Sequence, residues 1–346
     1  MSSPAPTPDS ILASLTDPGL FLHRLDPVGG QITLVHAAAD ALRDTVFLDG
    51  RTTFWRGEPV SVSLDDALAV AGSVPVSEPD RYIFHVSFCG STLLAGLLEV
   101  EMALVLKEPH ALVDLADWEV GSRRSGACGE GLDATLALTC DLLKRPRQVD
   151  RPVVVKPSNW VNALLPRLVE QRPTMRPLFL TMEREAFLIA VFRGGRDRLA
   201  FIARIAALLA TVVPDGQNRL RSAEAGATEP LGQVANLVVL AHAFQIELFD
   251  RAMTAGGWGD DHRLDFATLM ADPAAALRQV CSALDLATSD AATARAVPSR
   301  LGTNAKRPNL SFSPEQRAGE DAEVCAVHGA TLDAALDWAR RTIDCA

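Results

Sequence analysis

The sequence predicts an α/β protein whose core is a parallel sheet of about five strands, covered by helices on both faces. Short apolar runs alternate with longer helix-like stretches from residue 81 onward. The runs are solidly apolar and do not alternate with polar residues, which is typical of strands buried on both faces. Several of them end at small or charged residues, where the ligand crevice of such a sheet lies.

The predicted strands are separated by helical segments long enough to connect parallel neighbours. The strands are residues 82–86, 103–106, 152–155, 177–181 and 262–266. Helical periodicity is found at residues 93–98, 111–118 and 132–143, and it dominates residues 186–253. Two segments rich in glycine, alanine or charged residues, 119–131 and 214–230, are predicted to be variable loops on which the choice of a substrate would depend.

Residues 1–80 are predicted to form a small α+β appendage, and residues 81–346 the main domain. The appendage combines a proline-rich start, a helix candidate at residues 11–21 and turn signals such as Asp49-Gly50. No residue pattern in it points to chemistry.

Composition excludes several classes of protein. With 346 residues, 48% hydrophobic and 22% charged, the chain can bury a large core, so wholesale disorder is excluded. The 43 acidic and 33 basic residues give a net charge of −10, which argues against a broad surface for nucleic acid. A local basic pocket remains compatible with this balance.

Cysteine usage and the apolar stretches together predict a cytoplasmic protein. The six cysteines contain no Cys-x-x-Cys pair, which argues against a zinc knuckle or a disulfide framework and favours reduced thiols. The first ten residues lack the basic and apolar regions of a secretory signal. The longest apolar stretches are interrupted, for example by Arg204 and His242, so we expect core helices and no transmembrane segment.

The turn between the first predicted strand and its helix, residues 87–92, is the clearest candidate for a ligand site. Gly90 allows close backbone approach, while Ser91 and Thr92 place hydroxyl and N–H groups at a helix start, which attracts anions. A mononucleotide-type phosphate loop would require Lys in place of Ser91. The alternative is an ordinary strand-to-helix turn capped by Ser91 or Thr92. As a phosphate-binding turn it would use Ser87, Phe88, Cys89, Gly90, Ser91 and Thr92.

The turn ending Gly90-Ser91-Thr92 resembles the 5′-phosphosulfate loop of sulfotransferases that use 3′-phosphoadenosine 5′-phosphosulfate (PAPS). A second segment is similar to the one that follows the last strand in that family: residues 265–269, then Asp272-Pro273, then an amphipathic helix to Leu286. Asp272 and Pro273 also have a purely structural explanation as the start of a helix. The resemblance covers roughly residues 80–320.

The resemblance implies a P-loop-type fold and transfer of a sulfonate group from PAPS to a hydroxyl or amine of a small-molecule or glycan acceptor, with no metal. It also implies that Glu108, just after the second strand, is the general base, with His110 as a weaker candidate. Glu108 has a structural alternative as a helix cap or an ion-pair partner of Lys107. Lys156 ends a buried strand and needs as its partner either a bound anion or a carboxylate, which would be Glu108 or another acidic residue at a strand end.

The sequence departs from the family at two points. Members carry Lys or Arg two residues before the loop glycine, where this chain has Phe88. Their Arg-Asp-Pro after the fourth strand corresponds to residues 183–186, in which Arg184 is the only basic residue. The candidate ligands of the 3′-phosphate are therefore Arg184, Arg193 and, in a late basic loop, Lys306, with Lys156 as a further source of charge.

Two other functions stay open at this point. The first is an ATP-dependent small-molecule kinase, against which the absence of Lys at position 91 counts. The second is a non-catalytic P-loop scaffold or binding protein that has lost the donor, as Phe88 suggests. The sequence predicts neither the acceptor nor the oligomeric state.

Overall fold

A computed structural model describes residues 7–75, 79–127, 129–147, 150–301, 303–304, 307–311 and 313–345. Of the candidate site residues, Lys306 lies outside this described part of the chain.

The N-terminal segment forms a three-stranded antiparallel sheet in the order β1-β2-β3. Its elements are α1 (Pro8–Thr16), β1 (Leu20–Asp26), β2 (Gln31–His36), α2 (Ala39–Asp44), β3 (Arg56–Ser63), α3 (Leu64–Val70) and a 3₁₀ turn (Ala71–Ser73). The helix predicted at residues 11–21 is therefore too long at its C-terminal end. The segment Asp17-Pro18-Gly19 ends α1, because the residue before a proline is disfavoured in helical conformation.

The main sheet has five parallel strands in the order β5-β6-β4-β7-β8, so the predicted α/β fold class is confirmed. The elements up to the fourth of these strands are β4 (Arg81–His85), α4 (Ser91–Glu99), β5 (Leu104–Lys107), α5 (His110–Ser125), α6 (Leu132–Lys144), β6 (Val153–Lys156), a 3₁₀ helix (Asn159–Leu164), α7 (Leu165–Gln171) and β7 (Arg176–Thr181). Every residue of β4, β5 and β6 is buried, as expected of strands covered on both faces.

Helices dominate the second half of the chain, as predicted. The remaining elements are α8 (Arg184–Arg193), α9 (Gly195–Leu209), α10 (Gly216–Ala225), α11 (Pro230–Gly256), a 3₁₀ turn (Asp260–His262), β8 (Arg263–Asp265), α12 (Phe266–Ala271), α13 (Pro273–Ala283), α14 (Asp290–Leu301), β9 (Thr303–Asn304), β10 (Arg307–Ser311) and α15 (Pro314–Thr342). β9 and β10 form a separate antiparallel pair.

Two predicted loops are partly helical. α10 lies inside the segment 214–230, and α5 continues to Ser125 within the segment 119–131. Both stretches are polar but contain Ala, Arg and Glu, which favour helices, and α10 still buries Ala223. Glycine content and polarity alone therefore overestimated the length of these loops.

Strand pairing brings the predicted site residues to one edge of the main sheet. Lys107 pairs with Lys156 across β5 and β6, and Thr181 pairs with Asp265 across β7 and β8. β4 lies between β6 and β7, so the turn that follows it projects at the middle of the same edge.

Within the described residues, α11 is the one helix long and apolar enough to span a membrane by composition. In that helix 61% of the apolar window is buried inside the protein, which is the pattern of a core helix. α11 packs against α7, α8, α9, α10 and α15.

Candidate functional site

The turn after β4 has an unusual backbone. Ser87 and Phe88 have φ angles of 76° and 55°, and Gly90 has 80° and serves as the N-cap of α4. Side chains other than glycine rarely adopt positive φ, and such strained positions are concentrated at functional sites. Because the first N–H groups of a helix lack partners within the helix, this turn directs backbone donors to the sheet edge.

Gly90 is required for steric as well as conformational reasons. A Cβ atom at this position would lie 2.9 Å from two carbon atoms of the Phe266 ring. The ring belongs to α12, which follows β8, so α12 covers one side of the turn. Any larger residue at position 90 must displace Phe266 and also adopt a disfavoured φ.

His85 holds the turn from below. Its Nδ1 accepts a hydrogen bond from the Ser87 N–H at 3.1 Å, so its Nε2 carries the proton and donates to the Pro157 carbonyl at 3.0 Å. The ring is buried and neutral in this arrangement. His85 thereby ties the turn after β4 to the segment after β6.

Three buried amides extend this support. Asn159 and Asn162 donate to Gln245 Oε1 at 3.2 and 3.1 Å, and Asn162 also donates to the His85 carbonyl at 3.2 Å. Gln245 Nε2 in turn donates to the Val86 carbonyl at 3.4 Å. The sequence placed Asn159 near the crevice but did not assign Asn162 or Gln245 to the site, although Gln245 is a polar residue in a largely apolar stretch of α11, which was the available signal.

Cys89 lies beneath the turn and is fully buried. Its thiol is 3.7 Å from the Leu180 carbonyl, and burial raises its pKa to about 12, an effect that nearby backbone N–H groups only partly offset. The thiol is therefore protonated at neutral pH and is not a nucleophile. Ser91 is buried as well, while Thr92 is half-buried.

Glu108 and Lys156 form an ion pair at the ends of β5 and β6. Lys156 Nζ donates to Glu108 Oε1 at 2.8 Å, and the Glu108 N–H donates to the Lys156 carbonyl at 2.7 Å. The lysine side chain is 1% exposed, and Glu108 has a φ of 57°. The alternative pairing of Glu108 with Lys107 is wrong, because Lys107 binds Glu99 of α4 at 2.5 Å.

The N-terminal segment reaches this ion pair. Arg51 Nη2 lies 2.5 Å from Asp49 Oδ2 and 3.5 Å from Glu108 Oε2, and its guanidinium is 4.2 Å from the centre of the Phe47 ring. The same ring is 5.9 Å from Lys156 Nζ. The sequence assigned no chemistry to residues 1–80, yet Arg51 contacts the candidate base.

His110 begins α5 and faces the same segment. Its Nδ1 donates to the Asp49 carbonyl at 2.9 Å, and its Nε2 lies 3.5 Å from Asp114 Oδ1. Asp114 also binds Arg24 at 2.9 Å. His110 thus joins the N-terminal segment to the main domain, with both ring nitrogens near protein acceptors.

The arginines predicted to bind the 3′-phosphate are both held by carboxylates near or within α15. Arg184 makes two hydrogen bonds to Asp344, at 2.7 and 2.8 Å. Arg193 binds Asp321 and lies 3.9 Å from Glu320. The charge of each guanidinium is therefore already offset by a carboxylate, although each keeps further N–H donors.

Two further arginines lie over aromatic rings at the turn, one ring in the turn itself and one in α12. The Arg198 guanidinium is 4.6 Å from the centre of the Phe88 ring, and the Arg317 guanidinium is 4.7 Å from the centre of the Phe266 ring. Burial lowers the pKa of both, and the proximity of Arg193 lowers each further. We call Arg193, Arg198 and Arg317 the arginine cluster.

Arg198 differs from the other members of the arginine cluster in its partners. It donates to the Ala190 carbonyl at 3.0 Å, and it forms no ion pair with a carboxylate in the described part of the chain. Arg317 has Asp321 at 3.9 Å. Sequence reasoning missed Arg198 and Arg317, because both are distant from the turn along the chain and neither belongs to a motif.

Comparison with known proteins adds little to this geometry. No family model and no curated protein matches the chain. A crystal structure of a sulfotransferase from Alicyclobacillus acidocaldarius matches at 16% sequence identity with a TM-score of 0.32, covering 75% of this chain and 96% of that chain. A likeness this distant assigns no residue of the site, so the assignment rests on the contacts described above.

Proposed function

We propose that this protein is a sulfotransferase-like enzyme that moves a sulfonate group from PAPS to a hydroxyl or amine of a small-molecule or glycan acceptor. The observation that carries the proposal is the position of Arg198 over Phe88. The turn itself contains no Lys or Arg, and Arg198 of α9 places a positive charge beside Phe88. A guanidinium on an aromatic face is attracted by the ring, which fixes its position.

The arginine cluster supports an anionic donor on physical grounds. Arg193 lies close enough to lower the pKa of both Arg198 and Arg317, so the three guanidinium groups repel each other, and Asp321 and Glu320 offset only part of their charge. A ligand with several negative charges would offset the remainder. Backbone N–H groups of residues 88–92 would bind the 5′-phosphate beside it.

The ion pair of Glu108 and Lys156 supplies the groups that the transfer requires. The acceptor oxygen or nitrogen forms a bond to sulfur and loses a proton, while the bond from sulfur to the 5′-phosphate oxygen breaks. Lys156 holds Glu108 Oε1, so Oε2 is the oxygen available to take the proton once Arg51, at 3.5 Å, moves away. Lys156 also offsets negative charge that develops on the leaving phosphate. The proposed transfer uses no metal.

A non-catalytic binding protein is the second candidate function. The ion pairs of Arg184 with Asp344 and of Arg193 with Asp321 favour it, because both expected phosphate ligands are already bound. The kinase hypothesis has no such support, since Ser91 occupies the lysine position and is buried.

The test compares nucleotides by thermal unfolding. We expect adenosine 3′,5′-bisphosphate to raise the melting temperature more than ATP with magnesium, because it carries the 3′-phosphate that PAPS has. At one hundred times the dissociation constant a ligand stabilises the folded state by about 2.7 kcal/mol, which raises the melting temperature of a chain of 346 residues by roughly 4 °C.

Arg198→Met is the decisive variant. It should remove most of the shift, whereas Arg221→Met, on the exposed face of α10, should leave it unchanged. Equal and negligible shifts with both nucleotides would favour the binding-protein function. A larger shift with ATP and a requirement for magnesium would favour the kinase.

A further inference from the structure

Two buried arginines lie where the N-terminal sheet meets the main domain. Arg145 and Arg147 follow α6, and their residues are only 4% and 6% exposed. Both donate to the carbonyl oxygen of Leu20 at the start of β1, Arg147 at 2.6 Å. Arg147 also donates to the Leu142 carbonyl at 3.3 Å, and its guanidinium is 5.4 Å from the centre of the Phe21 ring.

These contacts leave much of the donor capacity unused. Arg145 Nε and Nη1 and Arg147 Nε are buried and have no hydrogen-bond partner. Neither guanidinium forms an ion pair with a carboxylate among the described residues, although the charge of Asp17 acts on Arg145. A carbonyl oxygen offers two lone pairs, while each guanidinium carries five N–H donors.

Three buried lysines among the described residues have carboxylate partners. Lys107 binds Glu99 at 2.5 Å, Lys156 binds Glu108 at 2.8 Å, and Lys144 Nζ lies 3.3 Å from Asp141 Oδ1. The arginine pair differs from these three residues. An unpaired buried charge is strongly unfavourable, and here two like charges share one acceptor.

Both groups stay charged under ordinary conditions. Burial lowers the pKa of Arg145 to about 10 and that of Arg147 to about 9, and the charge of Arg145 contributes to the second value. Because both values lie above neutral pH, deprotonation does not relieve the repulsion. A negative charge from outside the chain would relieve it.

We propose that Arg145 and Arg147 bind a small inorganic anion, which accepts hydrogen bonds from their unpartnered nitrogens. The anion would join the end of α6 to the start of β1 and so fasten the N-terminal segment to the main domain. This site is separate from the turn after β4 and does not depend on the proposed transfer reaction.

The direct test uses a heavy halide. Crystals of the wild-type protein grown in sodium bromide should show an anomalous peak between the two guanidinium groups. A parallel crystal grown in sulfate tests whether the site prefers an oxyanion to a halide. The proposal would be overturned if a water molecule or a carboxylate of the protein occupied the position in the bromide crystal and no sulfate occupied it in the sulfate crystal.

Stability in solution gives an independent readout. Replacing sodium gluconate by sodium bromide or sulfate at constant ionic strength should raise the melting temperature of the wild type by about 2 °C when the site is well saturated. Arg147→Met should remove this increase, whereas Arg221→Met, on the exposed face of α10, should keep it. An increase of the same size in Arg147→Met would show that it arises from general salt effects, and the inference would be wrong. If Arg147→Met does not fold, the anomalous map decides alone.

Discussion

The positively charged side chains on the two sides of the turn after β4 have different partners. On the side of β5 and β6, Lys156 is buried against Glu108, and Arg51 completes the group. On the other side, Arg198 and Arg317 lie on the rings of Phe88 and Phe266.

This difference implies that the ion pair mainly stabilises the fold, whereas the guanidinium groups on the other side are available to bind a ligand. A buried ion pair is balanced within the chain, so breaking it destabilises the fold. Guanidinium groups that rest on aromatic rings and repel one another contribute little to stability, yet they offer charge to a ligand. Under the proposed function, the donor would therefore lie at the arginine cluster, and Glu108 and Lys156 would carry out the acceptor chemistry.

The largest expected effect follows from breaking the ion pair. Glu108→Gln removes the carboxylate and leaves the Lys156 ammonium buried without a countercharge, so the free energy of unfolding should fall by about 3 kcal/mol. Denaturant unfolding measures this change. Turnover on an identified acceptor should also fall by about a hundredfold or more, because the general base is lost.

The matched variant on the other side is Arg198→Met. It should change the free energy of unfolding by less than about 1 kcal/mol, since no ion pair is broken in the described residues. If the two variants destabilised the protein equally, the contrast between the two sides would be lost. Glu108→Gln with full activity would leave Glu108 a structural residue and make His110 the next candidate to test.

An effect of similar size concerns pH and two buried histidines, His242 and His23. Burial lowers the pKa of His242 to about 4; its Nε2 donates to the Met182 carbonyl at 2.8 Å, and its ring packs on Phe187 beside Phe88. His23, in β1, has a pKa lowered to about 4 mainly by burial. Both are therefore neutral in the folded protein at neutral pH.

The sign of the pH effect follows from proton binding. Between pH 6.5 and 4 the unfolded chain binds a proton at each histidine that the folded chain does not, so stability falls as the pH falls through this range. For His242 the loss is about 3 kcal/mol, from 1.36 kcal/mol per pKa unit. His242→Gln should flatten the dependence of unfolding free energy on pH. An unchanged slope would contradict the burial of His242.

Sequence patterns predicted the sheet well because β4, β5, β6 and most of β7 are buried and largely apolar, whereas β8 has a single buried residue, Leu264. The turn was also predictable, since its small residues are adjacent in sequence. The ion-pair partners at the strand ends were predictable only in part, since Glu108 was an expected partner of both Lys156 and Lys107 and pairs with Lys156. Lys107 and Lys156 end neighbouring strands in register, but one binds Glu99 and the other Glu108, and only the positions of α4 and of the backbone at Glu108 decide which. The same limit applies to Arg198 and Arg317, which reach the turn from α9 and α15.

The smallest expected effect on stability concerns Arg51, the contribution of the N-terminal segment to the site. Its side chain is 62% exposed, so Arg51→Met should lower the free energy of unfolding by less than about 1 kcal/mol. Arg51 lies beside Glu108, on the side of β5 and β6 and away from the arginine cluster. The variant should therefore change KM for the acceptor and leave the melting-temperature shift with adenosine 3′,5′-bisphosphate intact. Arg43→Met, which removes an exposed ion pair with Asp44 in the same segment, is the control and should change neither. Loss of the nucleotide shift in Arg51→Met would mean that the donor occupies the side of β5 and β6, and the division of the site into a donor half and an acceptor half would have to be reversed.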